Sequence, residues 1–348
     1  MRAAVLRGGQ IVEDEVADPS PAPGQVLVKT LACGICGSDL HFRKHGREMV
    51  AMGDETDSMF APDLDRDIVM GHEFTVEVME LGAGVEGIAI GTIATSVPVL
   101  FLGGTLEQPN MAALGFSNEY PGGYGEAMVL SPFLLQRVPN GLDPKLAALT
   151  EPMAVGLHGV NKSGIAAGAA ALVIGCGPVG LSVIAALKAK GIETIIATDL
   201  SSARRALATT MGATHVTDPR EQPGIDLWRE VTGSKGRLFL YEAVGIPGMI
   251  NQIMRDAPKG SVITVVGVCM ENDTILPIVG INKELELKFV LGYDPFTEFA
   301  PTLIEIAEGR LDVAPLITGT VGIDGVAGAF DALADPEAHC KILVAPNG

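Results

Sequence analysis

The sequence predicts an α/β protein of two domains, a β-rich one followed by one in which strands and helices alternate. Three observations carry this. At 348 residues the chain is too long for one comfortable core and fits two domains of ordinary size. Up to about residue 150 the apolar segments are short, β-branched and punctuated by Gly, Pro and Asp: "QVLVKTLA", "EFTVEVMEL", "GTIATSVPV", "GYGEAMVL". After "TEPMAVGLHGVNKSG" the texture changes to buried strands followed by helical stretches of ten residues or more, which implies right-handed crossovers and a parallel sheet.

Taken in order, the second half begins with the strand "AALVIGCG" and the helix "LSVIAALKAKG". The strand "TIIATDL" and the helix "SSARRALATTMG" follow, then "HVTD", "LFLYEAVG", the helix "PGMINQIMRDAP", "GSVITVVGV" and "LELKFVLGY". The tail "PFTEFAPTLIEIAEGRLDVAPLI" through "HCKILVA" supplies a helix and short strands expected to return to the first domain. The expected domains are 1–152 with 294–348, and 153–293.

Lys and Arg number 24 against 42 Asp and Glu, a net charge of −18. That excess repels phosphate backbones and anionic lipid, so nucleic-acid and membrane-surface partners are not expected. "MRAAVLRGGQIVEDEV" lacks the apolar core of a signal peptide, and no apolar run is long enough to span a bilayer. The five scattered cysteines (Cys33, Cys36, Cys176, Cys269, Cys340) do not form a secreted disulfide framework, so a reduced, cytoplasmic protein is expected.

Gly175, Gly177 and Gly180 in "GCGPVG" have the form G-x-G-x-x-G directly after a strand and opening a helix, and the next strand ends in Asp199. The first glycine permits the tight turn, the second lets a pyrophosphate approach the backbone, and the third packs helix on strand. Free N–H groups at the helix start then bind the phosphates. Asp199 can accept both ribose hydroxyls and would repel a 2′-phosphate, which points to NAD over NADP; Arg204 and Arg205 are the counter-signal.

"LACGICGSDLH" raises a different question. Its C-x-x-C is not followed by the βαβ pattern of a redox pair, and residues 42–175 contain no cysteine to complete a four-Cys zinc site. Cys36, His72 of "MGHEF" and Glu151 of "LTEPMAVGLHG" would offer zinc one S, one N and one O ligand, with a fourth position open. Singly, each also reads as an ordinary buried thiol, a satisfied imidazole or a first-turn helix acid.

Together, "CGICGSDLH", "GHE", "EPMAVGLHG", "GCGPVG" and "TDLSSAR" stand in the order found in the zinc-dependent medium-chain alcohol/polyol dehydrogenases, and the chain resembles that family over essentially its whole length. Glu151 in place of a second cysteine looks more like the sorbitol dehydrogenase branch. The resemblance implies a GroES-like catalytic domain and a Rossmann NAD-binding domain. It makes Cys36, His72 and Glu151 the ligands of one catalytic zinc, Glu73 a nearby acid able to replace water at the metal, and Asp39 the partner orienting His72. Cys33 is then an ordinary buried thiol. Zinc acts as a Lewis acid toward an alcohol whose hydride passes to the nicotinamide, with a proton relay through Ser38 to His41. Pro178, Val179, Leu200, Val244, Val266 and Val268 are expected at the cofactor, and Lys341 at its pyrophosphate. His45, His158, His215 and His339 are read as surface or packing residues.

Two departures from the family follow. The stretch 95–125 lacks the four cysteines of a structural zinc lobe, so a single zinc per chain is expected. The segment 43–71 is longer than usual and rich in Met and acids. It is expected to form a rim of the substrate cleft, with Met49, Met52, Met59 and Phe60 on an apolar ligand and Asp54, Glu55 and Asp57 in solvent. The polyol-like Glu151 ligand points to a secondary hydroxyl, while these side chains with Phe101 and Phe116 point to a fairly apolar or cyclic substrate. A polyol or amino-alcohol (threonine-type) dehydrogenase is the alternative. A zinc-free quinone reductase would lack the Cys/His/Glu set, and a non-catalytic NAD-binding protein would be expected to lose ligands or relay. The family is often dimeric or tetrameric, so a homo-oligomer is expected.

Overall fold

The computed structural model describes residues 1–56, 58–105 and 108–348, with the side chain of Asp54 also outside the description. Asp57 and the Asp54 side chain therefore lie outside the described residues. The chain forms two compact units: Met1–Glu151 with Leu303–Asp335 and Lys341–Gly348, and Pro152–Thr302 with Pro336–Cys340.

The first unit is built on antiparallel pairing. The strand Val26–Gly34 alternates buried and half-buried residues, as its β-branched Val26, Val28 and Thr30 at period two require. It pairs with Glu73–Leu81 on one side and Lys341–Val344 on the other, within a seven-stranded sheet. This register sets Gly34 opposite both Glu73 and Leu343. A three-stranded sheet of Gln10–Glu15, Arg2–Arg7 and Ile68–Val69 and a two-stranded one of Val99–Gly104 and Pro109–Ala113 also belong to the unit. Val28, Phe74, Val76, Leu100, Tyr124 and Phe330 lie in one buried cluster.

The segment expected to form a rim begins as helix. Gly37–Thr56 runs for 20 residues with a kink at His45, whose φ and ψ are −123° and 27°. Met49, Val50, Phe60 and Leu64 pack on the unit's core, while Met52 and Met59 are exposed.

The second unit is a six-stranded parallel sheet in the order His215–Thr217, Thr194–Thr198, Ala170–Ile174, Leu238–Glu242, Val262–Val265, Glu286–Phe289. Strand order reverses between Ala170–Ile174 and Leu238–Glu242. That switch point is where doubly wound sheets receive ligands, beyond the carboxyl ends of the strands. Leu172, Ile196, Leu240, Ile263 and Trp228 share one core cluster, each such side chain contributing roughly 1.5–3 kcal/mol on burial.

The second unit extends past residue 293 because Glu298, in the π-helical turn Pro295–Phe299, is held by His158 Nδ1 at 2.7 Å and by the Asn161 amide at 2.9 Å. His158 thus does more than pack. Among the described residues no helix is long and apolar enough to cross a membrane.

Candidate active site

Cys36 sits where the strand Val26–Gly34 gives way to the helix Gly37–Thr56. Asp39 in the first turn of that helix accepts from the Cys36 amide at 2.9 Å and from the Tyr124 hydroxyl at 2.6 Å, both on Oδ2. Its other oxygen, Oδ1, lies 3.3 Å from His72 Nδ1. The approach is ionic in distance but poorly aligned, so neither atom has a hydrogen-bond partner among the described residues. Desolvation works against a charged imidazole, yet the Asp39 carboxylate raises the His72 pKa well above the usual value.

His72 is delivered by a tight turn at Gly71, where φ is +100° and a methyl group would stand 2.6 Å from the Tyr124 ring. The His72 ring turns Nε2 toward Ser38 Oγ at 3.5 Å and lies 5.4 Å from the Phe116 ring. Phe116 in turn meets Phe42 and Phe60 edge-on at 5.2 and 5.6 Å. An imidazole with one nitrogen turned to a carboxylate, and with a thiol among its near neighbours, is oriented as a metal ligand.

Cys36, His72 and Glu73 bring one S, one N and one O donor within 4.8 Å of one another. That mixed set fits zinc, which takes Cys, His and carboxylate ligands together. Glu151 is buried in the first turn of the helix Thr150–Ser163, but its carboxylate is not part of this tight group. Ser38 and His41 lie three residues apart on the Gly37–Thr56 helix, and so on one face. Cys33 is fully buried, and burial pushes its thiol well above the ordinary range, as befits an inert side chain.

Lys341 requires a correction. The residue expected at a pyrophosphate is fully buried, and its Nζ donates to both Glu73 oxygens at 2.7 Å and to the Ile35 carbonyl at 3.0 Å. An ammonium has three hydrogens, and these bonds use them. Sheet pairing is the reason, because the strand Lys341–Val344 lies against Val26–Gly34. Gly34 makes room for the pair: a methyl there would stand 2.0 Å from Glu73 Oε2. Gly34 and Tyr124 were not singled out from the sequence. The "GGYG" cluster was the available signal for Tyr124, but only the fold sets it beside Asp39.

In the second unit Gly175 adopts φ +93° and donates to the Thr198 carbonyl at 2.8 Å. A methyl on Gly180 would stand 2.0 Å from the Gly175 carbonyl, so close packing forces glycine there. A methyl on Gly177, the N-cap of the helix Pro178–Ala189, would meet nothing within 4 Å, so only an approaching ligand would feel it. Asp199 accepts from the Cys176 amide at 2.7 Å and the Ser201 amide at 2.8 Å, locking the second strand's end to the glycine turn. Val244 borders Gly175, and its amide is held at 2.8 Å by Glu242, whose pKa burial raises. Leu200 and Val268 are exposed, whereas Val266 is buried against Gly159.

Comparison with known proteins joins these two constellations. The family model "Alcohol dehydrogenase GroES-like domain" matches residues 22–140, and "Zinc-binding dehydrogenase" matches 178–308. The chain is 32% identical to (R,R)-butanediol dehydrogenase of Bacillus subtilis over 345 residues, covering 96% of each. The chain belongs to the zinc-binding dehydrogenase family. It is 28% identical to sorbitol dehydrogenase of the same organism, over 100% of this chain and 98% of the other. A crystal structure from Sinorhizobium meliloti 1021, described as a zinc-binding dehydrogenase and bound to NADP, superposes with a TM-score of 0.81 at 28% identity, covering 99% of each chain. This dehydrogenase accordingly combines a GroES-like unit with a Rossmann unit and is a zinc-dependent alcohol/polyol oxidoreductase working with a nicotinamide dinucleotide.

Proposed function

We propose that this dehydrogenase oxidises a fairly apolar secondary alcohol to its ketone with NAD, holding one zinc through Cys36, His72 and Glu151. The observation that carries the reading is the Cys36–His72 donor pair walled by Phe116, with Phe42 and Phe60 behind it. Bound zinc supplies Lewis acidity to the alcohol oxygen and the dinucleotide accepts the hydride. The chain's own work is orientation and proton removal. Asp39, fixed by Tyr124 and the Cys36 amide, aims the His72 ring. Ser38 takes the alcohol proton, and His41, one turn on, passes it outward.

Glu151 is preferred to Glu73 as third ligand because both Glu73 oxygens already serve Lys341. Asp199 favours NAD, since a carboxylate receives ribose hydroxyls and repels a 2′-phosphate. The exposed Phe289 and Leu291, 69% and 81% accessible on and beside the outermost strand of the parallel sheet, support a homo-oligomer paired along that edge. Five free thiols suit a cytoplasmic enzyme.

The test is metal analysis beside an NADH absorbance trace over cyclic, aliphatic and polyhydroxy alcohols. One zinc per chain and the highest kcat/KM for an apolar secondary alcohol are expected. His72→Ala should lose zinc and turnover together, and Ser38→Ala should slow hydride transfer around 10²–10⁴-fold with zinc retained. Full turnover after verified zinc removal would refute the reading. A preference for polyols would move the substrate to the sorbitol type.

A further inference from the structure

The helix Ser202–Met211 starts three residues beyond Asp199, and the bonding at its start is unusual. A helix leaves its first amides without intrahelical partners, and such amides ordinarily receive an anion or a polar cap. Here every one of them is taken. The Ser201 amide donates to Asp199 Oδ1 at 2.8 Å, and the Arg204 amide to Ser201 Oγ at 3.1 Å. The Ser202 amide donates to Glu337 Oε1 at 2.9 Å, and the Ala203 amide to Glu337 Oε2 at 3.2 Å. The Ser202 hydroxyl adds a bond to Oε2 at 2.9 Å.

Glu337 comes from a segment 134 or more residues away in sequence, which the Ser201 hydroxyl anchors by donating to the Pro336 carbonyl at 3.0 Å. The Ser202 hydroxyl, followed by Ser201 and the Ala203 amide, holds Glu337 below the usual carboxylate range, so it is ionised at neutral pH. Arg220 feels the Glu337 charge, but its guanidinium and that of Arg205 are already committed to other acceptors. Arg205 donates to the Asp199 and Leu200 carbonyls and to Asp218, and Arg220 is bound to Asp218. Arg204 Nε alone is buried without a partner among the described residues.

We propose that Glu337 is a specificity-determining residue that disfavours NADP by occupying, with a fixed carboxylate, the amide cradle a 2′-phosphate needs. The inference rests on Asp199 being the ribose carboxylate. A phosphate on the ribose 2′-oxygen lies beside the residue that binds the ribose hydroxyls and the amides that follow it. In this chain it would meet two carboxylates and no free amide. NAD carries no charge at that position and is indifferent to the plug. The device is remote in sequence from the glycine motif, so nucleotide preference is set at two places in the chain.

The test measures dissociation constants for NAD and NADP by calorimetry on the full chain, together with thermal midpoints. Glu337→Gln removes the charge and keeps an acceptor; Glu337→Ala also empties the cradle. The Kd ratio of NADP to NAD should fall roughly tenfold in Glu337→Gln, and further in Glu337→Ala, since one unit charge near a phosphate is worth about a decade of affinity. A residue that merely caps the helix would lower the midpoint and weaken both nucleotides alike, and an unchanged ratio in both variants overturns the proposal. Asp199→Gly is the control for the underlying reading. If it leaves the ratio untouched, Asp199 is not the ribose carboxylate; if it shifts the ratio while the Glu337 variants do not, only the Glu337 inference fails.

Discussion

The donor group around His72 and the glycine turn at 175–180 are built in opposite ways. The first is a set of side chains drawn from separated parts of the chain: half-buried Cys36 and buried His72 and Glu73, with Lys341 paired to Glu73 across 268 residues. The second is mostly backbone from one strand–turn–helix unit, with Asp199 reaching back 23 residues to the Cys176 amide. A divalent cation is held by charge and lone pairs, which only side chains supply in quantity. A pyrophosphate is held by N–H groups and by the closeness that glycine allows. Errors in the two regions should therefore have different consequences.

The sharpest contrast is Lys341→Met. It strands a fully buried carboxylate at Glu73, and removing one partner of a buried pair costs about 3–5 kcal/mol. Denaturant unfolding should show that loss, and Lys341→Met/Glu73→Gln should restore much of it. If Lys341→Met instead unfolds like wild type but binds NAD poorly, the lysine serves the nucleotide after all.

Next come paired glycine variants in the turn. In Gly180→Ala the new methyl must displace the Gly175 carbonyl, with a stability cost of roughly 1–3 kcal/mol and weaker NAD binding. In Gly177→Ala nothing lies in the way, so the thermal midpoint should hold while NAD affinity falls through lost close approach. Zinc content should stay at the wild-type level in both. Coupled loss of zinc would show that the two regions are not independent.

The smallest expected effect is a pH dependence in the second unit. Burial would raise the Glu298 pKa, but bonds from Asn161, the Asp294 amide and His158 outweigh it and hold the carboxyl below its ordinary 4.5. A depressed carboxylate stabilises the fold above its unfolded pKa, and that contribution fades as pH drops through the folded one. Between pH 6 and pH 3 the thermal midpoint of wild type should therefore approach that of Glu298→Gln. A constant gap across that range would mean the carboxylate's charge contributes nothing.

The same division separates what could be read in one dimension from what could not. The glycine turn, its helix and the acid ending the next strand were legible because each requirement is local: a positive φ, a close contact, a strand end. The donor types were legible only in combination, since Cys36 and His72 singly read as an ordinary thiol and imidazole and the family resemblance marks them as candidate ligands. The long segment 43–71 was legible as an addition but not as a continuation of the Gly37–Thr56 helix, because its mixed composition has weak periodicity.

By itself, then, the sequence determined the two-domain α/β class, the dinucleotide turn and the thiol–imidazole pair. Tertiary structure decided the partners. It set Lys341 on Glu73 rather than toward a phosphate, placed Tyr124 on Asp39, made Gly34 the space for an ion pair, and carried Glu337 to the start of a helix 134 or more residues earlier. Those pairings follow from strand register and chain return. A slip of one residue in register would turn Glu73 or Lys341 to the opposite face of the sheet, so no local pattern can encode which carboxylate a given cation meets.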